Sequence, residues 1–313
     1  MLFSFFHLRK HDLQHKINKQ NQIPRDVILI LIFVISKAKK IMTNIYKIAN
    51  KLRAESKHLP INRIELEDAL NTLIHRVLFP ICDQEKSREK KLYYFYSILV
   101  ENISALLNRD EAERMVDQFI SHLPELQDRL YDEAKVYYEN DPAAKSIEEV
   151  ILTYPGFFAQ VVYRISHEFY KMNTPIIPRL FSEYAHSKVG IDVNPGAEIG
   201  KAFYIDHGTG IVIGETTVIG DNVKIYQGVT LGALFVTKGL ANEKRHPTIE
   251  DNVVIYAGAT ILGGKTIVGH DSTIGGNAWL TKSVVPYSLV QQNSEIRIHN
   301  TLKTGENILD FNI

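Results

Sequence analysis

Two different spacings of apolar side chains divide the chain. From Met42 to about residue 182 they recur every three or four positions. Leu66, Ala69, Leu70, Leu73, Ile74, Val77 and Leu78 form one such stripe, the interval at which residues share a helix face. Tyr93, Tyr96, Ile98, Leu99, Ile103, Leu106 and Leu107 form a second stripe, and Met115, Phe119, Ile120 and Leu123 a third. Ile151 to Tyr170 adds a further helix, after which Pro175 and Pro178 break the pattern. Asp141-Pro142 reads as a helix N-cap followed by proline at the first helical position.

Beyond Val189 the helical spacing stops and a period of six begins. Val193, Ile199 and Ile205 are six apart, and Ile213, Ile219, Ile225 and Leu231 hold the same interval in a shifted phase. Ile249, Ile255 and Ile261 resume it, and Val268, Ile274 and Leu280 follow after one extra residue. Glycine follows several anchors directly, at 200, 214, 220, 232, 269 and 275. Aliphatic anchors repeating every six residues, with small neighbours, predict a parallel β-helix. Each hexad supplies a strand and a turn, and no coil buries its own face without the next. Turn-rich hexads of this kind predict the left-handed form. The segment 232–247 fits no hexad, so it must leave the helix as an extruded loop, the kind of place where binding residues sit.

The reading is therefore α + β. An N-terminal α-helical domain, 42–182, is followed by a left-handed parallel β-helix, 183–290, and a C-terminal tail, 291–313. Residues 1–41 read as an extension, disordered or an upstream mis-start. Within it Val27 to Ile35 is an unbroken apolar run. As a helix it would cover roughly 14 Å, about half a bilayer core, too short for a span. Lys37, Lys39 and Lys40 follow it, and no small-residue cleavage site does.

Composition narrows the functional classes. Lys+Arg and Asp+Glu are 36 each, so the formal net charge is zero, and no basic excess points to nucleic acid. The one cysteine, Cys82, excludes an intramolecular disulfide and a cysteine-cluster metal site. This favours a reducing, cytoplasmic setting, and neither a membrane nor a resident metal is expected.

Three strings carry more specific information. They are Ile191-Asp-Val-Asn-Pro-Gly-Ala-Glu-Ile-Gly200, Asp206-His-Gly-Thr-Gly-Ile-Val-Ile-Gly-Glu-Thr216 and Lys244-Arg-His-Pro247. With Asp141-Pro-Ala143 in the helical half, they resemble the serine acetyltransferase family over roughly 141–286. The resemblance implies acetyl transfer from acetyl-CoA to the L-serine hydroxyl, giving O-acetyl-L-serine and CoA, the first step from serine to cysteine. It implies a homotrimer or a dimer of trimers, with the active site between neighbouring subunits. His207 matches the general base and Asp192 the carboxylate that orients it. Asp141 and Asp206 match residues that hold the amino end of serine, and Arg245 and His246 those that hold its carboxylate. Ala233, Ala257 and Gly276 match positions lining the CoA groove. The terminal Ile313 matches a tail that docks into O-acetylserine sulfhydrylase.

These residue types suit that chemistry. A serine hydroxyl is a poor nucleophile until a neutral imidazole takes its proton. A carboxylate on the other ring nitrogen fixes the tautomer, as in a catalytic triad. An arginine fork suits a carboxylate. Three alternatives stand beside this reading. One is a hexapeptide-repeat acetyltransferase for a sugar or other hydroxyl acceptor, which needs no amino-acid handles. Another is a β-helical carbonic anhydrase, which needs three zinc histidines. The last is a non-catalytic scaffold that only binds the sulfhydrylase.

Overall fold

The computed structural model describes residues 25–55, 59–80, 87–235 and 243–293. The chain separates into two compact units, 1–59 and 60–313. The described part of the first is one helix, α1, Arg25–Glu55. The boundary expected at 41/42 falls inside it. The apolar run at its start passes into a three-and-four stripe through Ile41, Ile45, Ile48 and Leu52, and neither glycine nor proline interrupts. No described helix is long and apolar enough to cross a membrane.

The second unit opens with helices. α2 (Arg63–Thr72) runs on into a π-helical turn, Leu73–Leu78, and is followed by α3 (Arg88–Ser104), α4 (Arg109–Ser121), α5 (Leu123–Asn140), α6 (Ile147–Thr153), α7 (Pro155–Lys171) and α8 (Ile177–Val189). Asn62, Asn108 and Ser146 cap α2, α4 and α6 by accepting a backbone N–H three residues on. Asp141 is not the N-cap its sequence suggested. It terminates α5, and its Oδ1 accepts the Ala143 N–H at 2.8 Å, closing a turn two residues wide. The helical region also extends past 182: α8 continues to Val189 and stops at Gly190, which adopts φ +68°.

The rest is a parallel β-solenoid of five coils. The first holds β1–β3 (Asp192–Val193, Glu198–Ile199, Tyr204–Asp206) and the second β4–β6 (Val212–Ile213, Val218–Ile219, Lys224–Tyr226). The third holds β7–β9 (Thr230–Gly232, Thr248–Ile249, Val254–Ile255) and the fourth β10–β12 (Thr260–Leu262, Ile267–Val268, Thr273–Ile274). β13 and β14 (Trp279–Leu280, Leu289–Val290) close the fifth. Three parallel sheets form the faces: β1-β4-β7-β10-β13, β2-β5-β8-β11 and β3-β6-β9-β12-β14. The six-residue anchors all point inward, and all but Leu280 are buried.

The helical layer closes one end of this stack. N–H groups of the first coil donate to carbonyls of the second, as Asp192 does to Ile211 and Gly200 to Ile219. First-coil carbonyls therefore face outward and need donors. The Tyr163 hydroxyl donates to Ala197 O at 2.5 Å, and His167 Nδ1 lies 2.8 Å from Pro195 O. Arg164 donates to Ile199 O and to Gly200 O, each at 2.6 Å. Arg164 is itself buried against Glu133. Solenoids require such end caps, and here α7 supplies most of one.

Candidate active site

The phase shift between Ile205 and Ile213 has a structural cause. Asp206 aligns with Tyr226 and Val212 with Thr230. The corner after Tyr226 takes three residues and the corner after Asp206 takes five. Because Gly210 bonds to Gly190 and Gly228 to Thr209, the two inserted residues are His207 and Gly208. His207 sits in the left-handed region at φ +54° and Gly208 at φ +87°, which is uncommon for a residue with a side chain. A Cβ on Gly208 would lie 2.4 Å from Ile191 Cδ1, so only glycine fits there. The insertion throws the His207 ring outward, where its side chain is 76% exposed and Nε2 lies 3.9 Å from Asp206 Oδ1.

Asp141 reaches the same corner from the helical layer. Its Oδ2 accepts the Tyr154 hydroxyl at 2.5 Å. That bond, with the Ala143 N–H, holds the carboxyl below its ordinary pKa, and the His207 charge adds to the effect. The same contact pushes the Tyr154 phenol up to about 12, with burial assisting. Tyr204 is raised by burial first and then by Asp206 and Asp141. Tyr226, in register with Asp206, stacks on Tyr256 with ring centroids 5.0 Å apart. Asp141, Asp206 and His207 thus share one acidic corner walled by tyrosines.

Asp192 lies on the first face, beside Val212. Arg179 of α8 brings Nη1 within 3.9 Å of its Oδ1, and Asp192, Glu183 and His186 have potential ligand atoms within 4.8 Å of one another. Arg179 also pairs with Glu183, so this cluster already holds a cation of its own. Among the described residues no hydrogen bond joins Asp192 to His207. The Asp192 Oδ1 is buried without a hydrogen-bond partner among the described residues.

Arg245 and His246 lie at a different corner, between the first and second faces. The returning loop grips the Glu215-Thr216 turn. Thr216 Oγ1 accepts the N–H of Arg245 at 2.9 Å and of His246 at 3.1 Å. Lys244 Nζ donates to Thr216 O at 2.7 Å, and Arg245 pairs with Glu215. The Thr216 N–H donates to His246 Nδ1 at 3.1 Å, so the ring proton sits on Nε2. A Cβ on Gly214 would lie 1.9 Å from the His246 ring, so glycine makes the seat for this imidazole.

Burial, then the Arg245 and Lys244 charges, lowers the His246 pKa from 6.5 to about 4. Between those values the unfolded chain binds more protons than the folded one. The stability this residue confers is complete above 6.5 and is lost as pH falls through the window to 4. Acid unfolding followed by circular dichroism is therefore expected to be shallower in that window for His246→Gln than for the parent; an unchanged profile would contradict the assignment.

The groove positions divide in the same way. Ala257 and Gly276 occupy adjacent coils at the His207 corner, where Asn277 N–H bonds Ala257 O at 2.9 Å. Ala233 follows β7 at the Arg245 corner, next to a cavity of about 500 Å³ lined by Leu234, Phe235, Arg245 and Lys265. Residues 236–242 and Ile313 lie outside the described residues. One chain thus presents its candidate site residues in two groups on different edges of the solenoid.

No family profile matches the chain. A serine acetyltransferase of Synechococcus elongatus is 44% identical over 225 residues, covering 70% of each chain. The chain belongs to the serine acetyltransferase family. The Staphylococcus epidermidis serine acetyltransferase is 48% identical over 162 residues, 52% of this chain and 74% of its own. Among solved structures, Entamoeba histolytica serine acetyltransferase 1 with L-cysteine matches at TM-score 0.66 and 31% identity, covering 81% of this chain and all of its own. The Neisseria gonorrhoeae serine acetyltransferase with serine matches at TM-score 0.52 and 25% identity, covering 77% and 97%.

For a serine acetyltransferase site, several contributors escaped the sequence. Tyr154 holds Asp141, and Glu215 and Thr216 hold the Arg245 loop. Glu215 and Thr216 lie inside the string 206–216 but have no role until the loop folds back on them. Tyr226 could have been found from the coil repeat, since it pairs in register with Asp206.

Proposed function

We infer that the chain transfers an acetyl group from acetyl-CoA to the hydroxyl of L-serine. The observation that carries this is the split of charge between the two corners. Asp141 and Asp206 stand on one, suited to an ammonium. Arg245 stands on the other, its fork steadied by Glu215 and suited to a carboxylate. A zwitterionic amino acid needs both, whereas a sugar acceptor needs neither.

His207 takes the serine hydroxyl proton as the oxygen attacks the thioester carbonyl carbon. The tetrahedral adduct expels the CoA sulfur, which takes the proton back from the imidazolium. A C–O bond forms, a C–S bond breaks, and no acetyl-enzyme is required. The role of Asp192 in orienting His207 rests on the resemblance, while Asp206 Oδ1 lies 3.9 Å from His207 Nε2; a carboxylate on the ring stabilises the imidazolium as the triad carboxylate does. CoA would run between the Ala257–Gly276 edge of one copy and the Ala233 edge of the next.

The two half-sites complete each other when the His207 corner of one copy meets the Arg245 corner of its neighbour. Such a head-to-tail contact closes as a ring, and a homotrimer fits a three-faced prism. The partner reading, O-acetylserine sulfhydrylase at Ile313, rests on the resemblance.

The test is complementation. Inactive His207→Asn and Arg245→Ala chains are mixed equally, dissociated and reassembled, and thiol release from acetyl-CoA with L-serine is measured. Random pairing across shared sites is expected to restore about a quarter of parental activity. Recovery of nothing would place both corners in one chain's site. Thiol release with a sugar but not with serine would discard the amino-acid reading.

A further inference from the structure

Helix α1 extends for 31 residues, about 46 Å, and much of its apolar surface is uncovered. Val34, Ile41, Ile45, Ile48 and Leu52 form one exposed stripe along it. Ile30 continues the stripe, and toward this N-terminal end the apolar surface widens: Leu29 and Phe33 are exposed to one side of it and Leu31 to the other. Lys37, Lys40, Lys47 and Lys51 line one flank of the stripe, and no acidic residue occurs between Val27 and Ala54.

We propose that α1 is an interfacial anchor that lies on an anionic lipid surface, with its apolar stripe in the acyl boundary and its lysines among the headgroups. A basic helix with one apolar face is the form that binds such surfaces, and each lysine near an anionic leaflet adds attraction. A second copy of α1 is the other possible cover, since the stripe holds a three-and-four interval. Two features disfavour it. Lys37 and Lys51 would flank the seam with no acidic counterpart to pair with. The start of the helix is apolar on several sides, wider than a coiled-coil seam but suited to insertion into one leaflet. The shortness of the Val27–Ile35 run excludes a span and is compatible with a helix lying in the surface.

The test floats the full chain with vesicles of phosphatidylcholine containing about a third phosphatidylserine, and with pure phosphatidylcholine. Recovery is expected with the anionic vesicles alone and is expected to fall as salt rises. The I41D/I45D double variant is expected to lose at least about tenfold in vesicle binding while keeping serine acetyl transfer, which shows that the second unit is still folded. Lys47→Glu with Lys51→Glu is expected to act in the same direction. Equal recovery on neutral vesicles, no recovery, or a double variant that floats like its parent would overturn the proposal. So would a drop in sedimentation mass in I41D/I45D without any vesicle binding by the parent, which would assign the stripe to a second copy.

Discussion

Replacing His207 by asparagine is expected to lower kcat for serine acetylation by on the order of 10²–10⁴-fold, the usual contribution of a general base. Asparagine is the better substitution because position 207 is left-handed, φ +54°. Alanine is less at ease in that conformation than histidine or asparagine, and a loss of activity could then be read as a distorted corner. Asparagine tolerates that conformation and cannot take up a proton. In the proposed site the two ends of serine are held elsewhere, by Asp141 and Asp206 and by Arg245, so KM for serine is expected to stay near the parental value. A large fall in kcat with little change in KM is the signature of an interaction made in the transition state. Steady-state thiol release at varied serine concentration measures both. A kcat within a few-fold of the parent would remove His207 from the mechanism.

The repeat was legible in the sequence because the solenoid is nearly one-dimensional. Each anchor, such as Ile219 or Ile255, packs on the equivalent residue a coil away, so local spacing reports tertiary contact. The candidate site was legible for a related reason. The phase slip between Ile205 and Ile213 is the insertion that carries His207, and the missing hexads between Leu231 and Ile249 are the loop that carries Arg245. Contacts between layers were not legible. Asp141 resembled an N-cap because Pro142 follows it; only the approach of Tyr154 from the start of α7 shows what its second oxygen does. Asp192 sits in a specific string, yet its nearest cation, Arg179, comes from a helix whose docking no local pattern encodes. The boundary at 41/42 rests on Met42 as an alternative start, whereas α1 persists across it because helical spacing continues through the lysines.

Arg164→Met is expected to cost about 3–5 kcal/mol of stability, the range for breaking a buried ion pair on one side. Arg164 and Glu133 are each only 3% exposed. Glu133 Oε1 accepts from Arg164 Nε at 2.9 Å, and its Oε2 already lacks a hydrogen-bond partner among the described residues. Methionine fills most of the arginine volume, so packing loss is small. What remains is a buried carboxylate without its main counter-ion and two first-coil carbonyls, Ile199 and Gly200, short of donors. Arg129, 3.1 Å from Gly200 O and 3.3 Å from Glu133, is too exposed to replace it fully. Adding Glu133→Gln is expected to recover part of the loss, because the stranded charge is then gone. Urea unfolding of the parent, the single variant and the double variant measures this. A double variant no more stable than Arg164→Met would show that the stranded charge is not the source of the loss. The consequence reaches the chemistry, because Gly200 is followed within the same coil by Tyr204–Asp206 and the inserted His207. Slackening the end cap frees the first coil that positions His207, the proposed base, so the single variant is expected to lose kcat at temperatures below its unfolding transition.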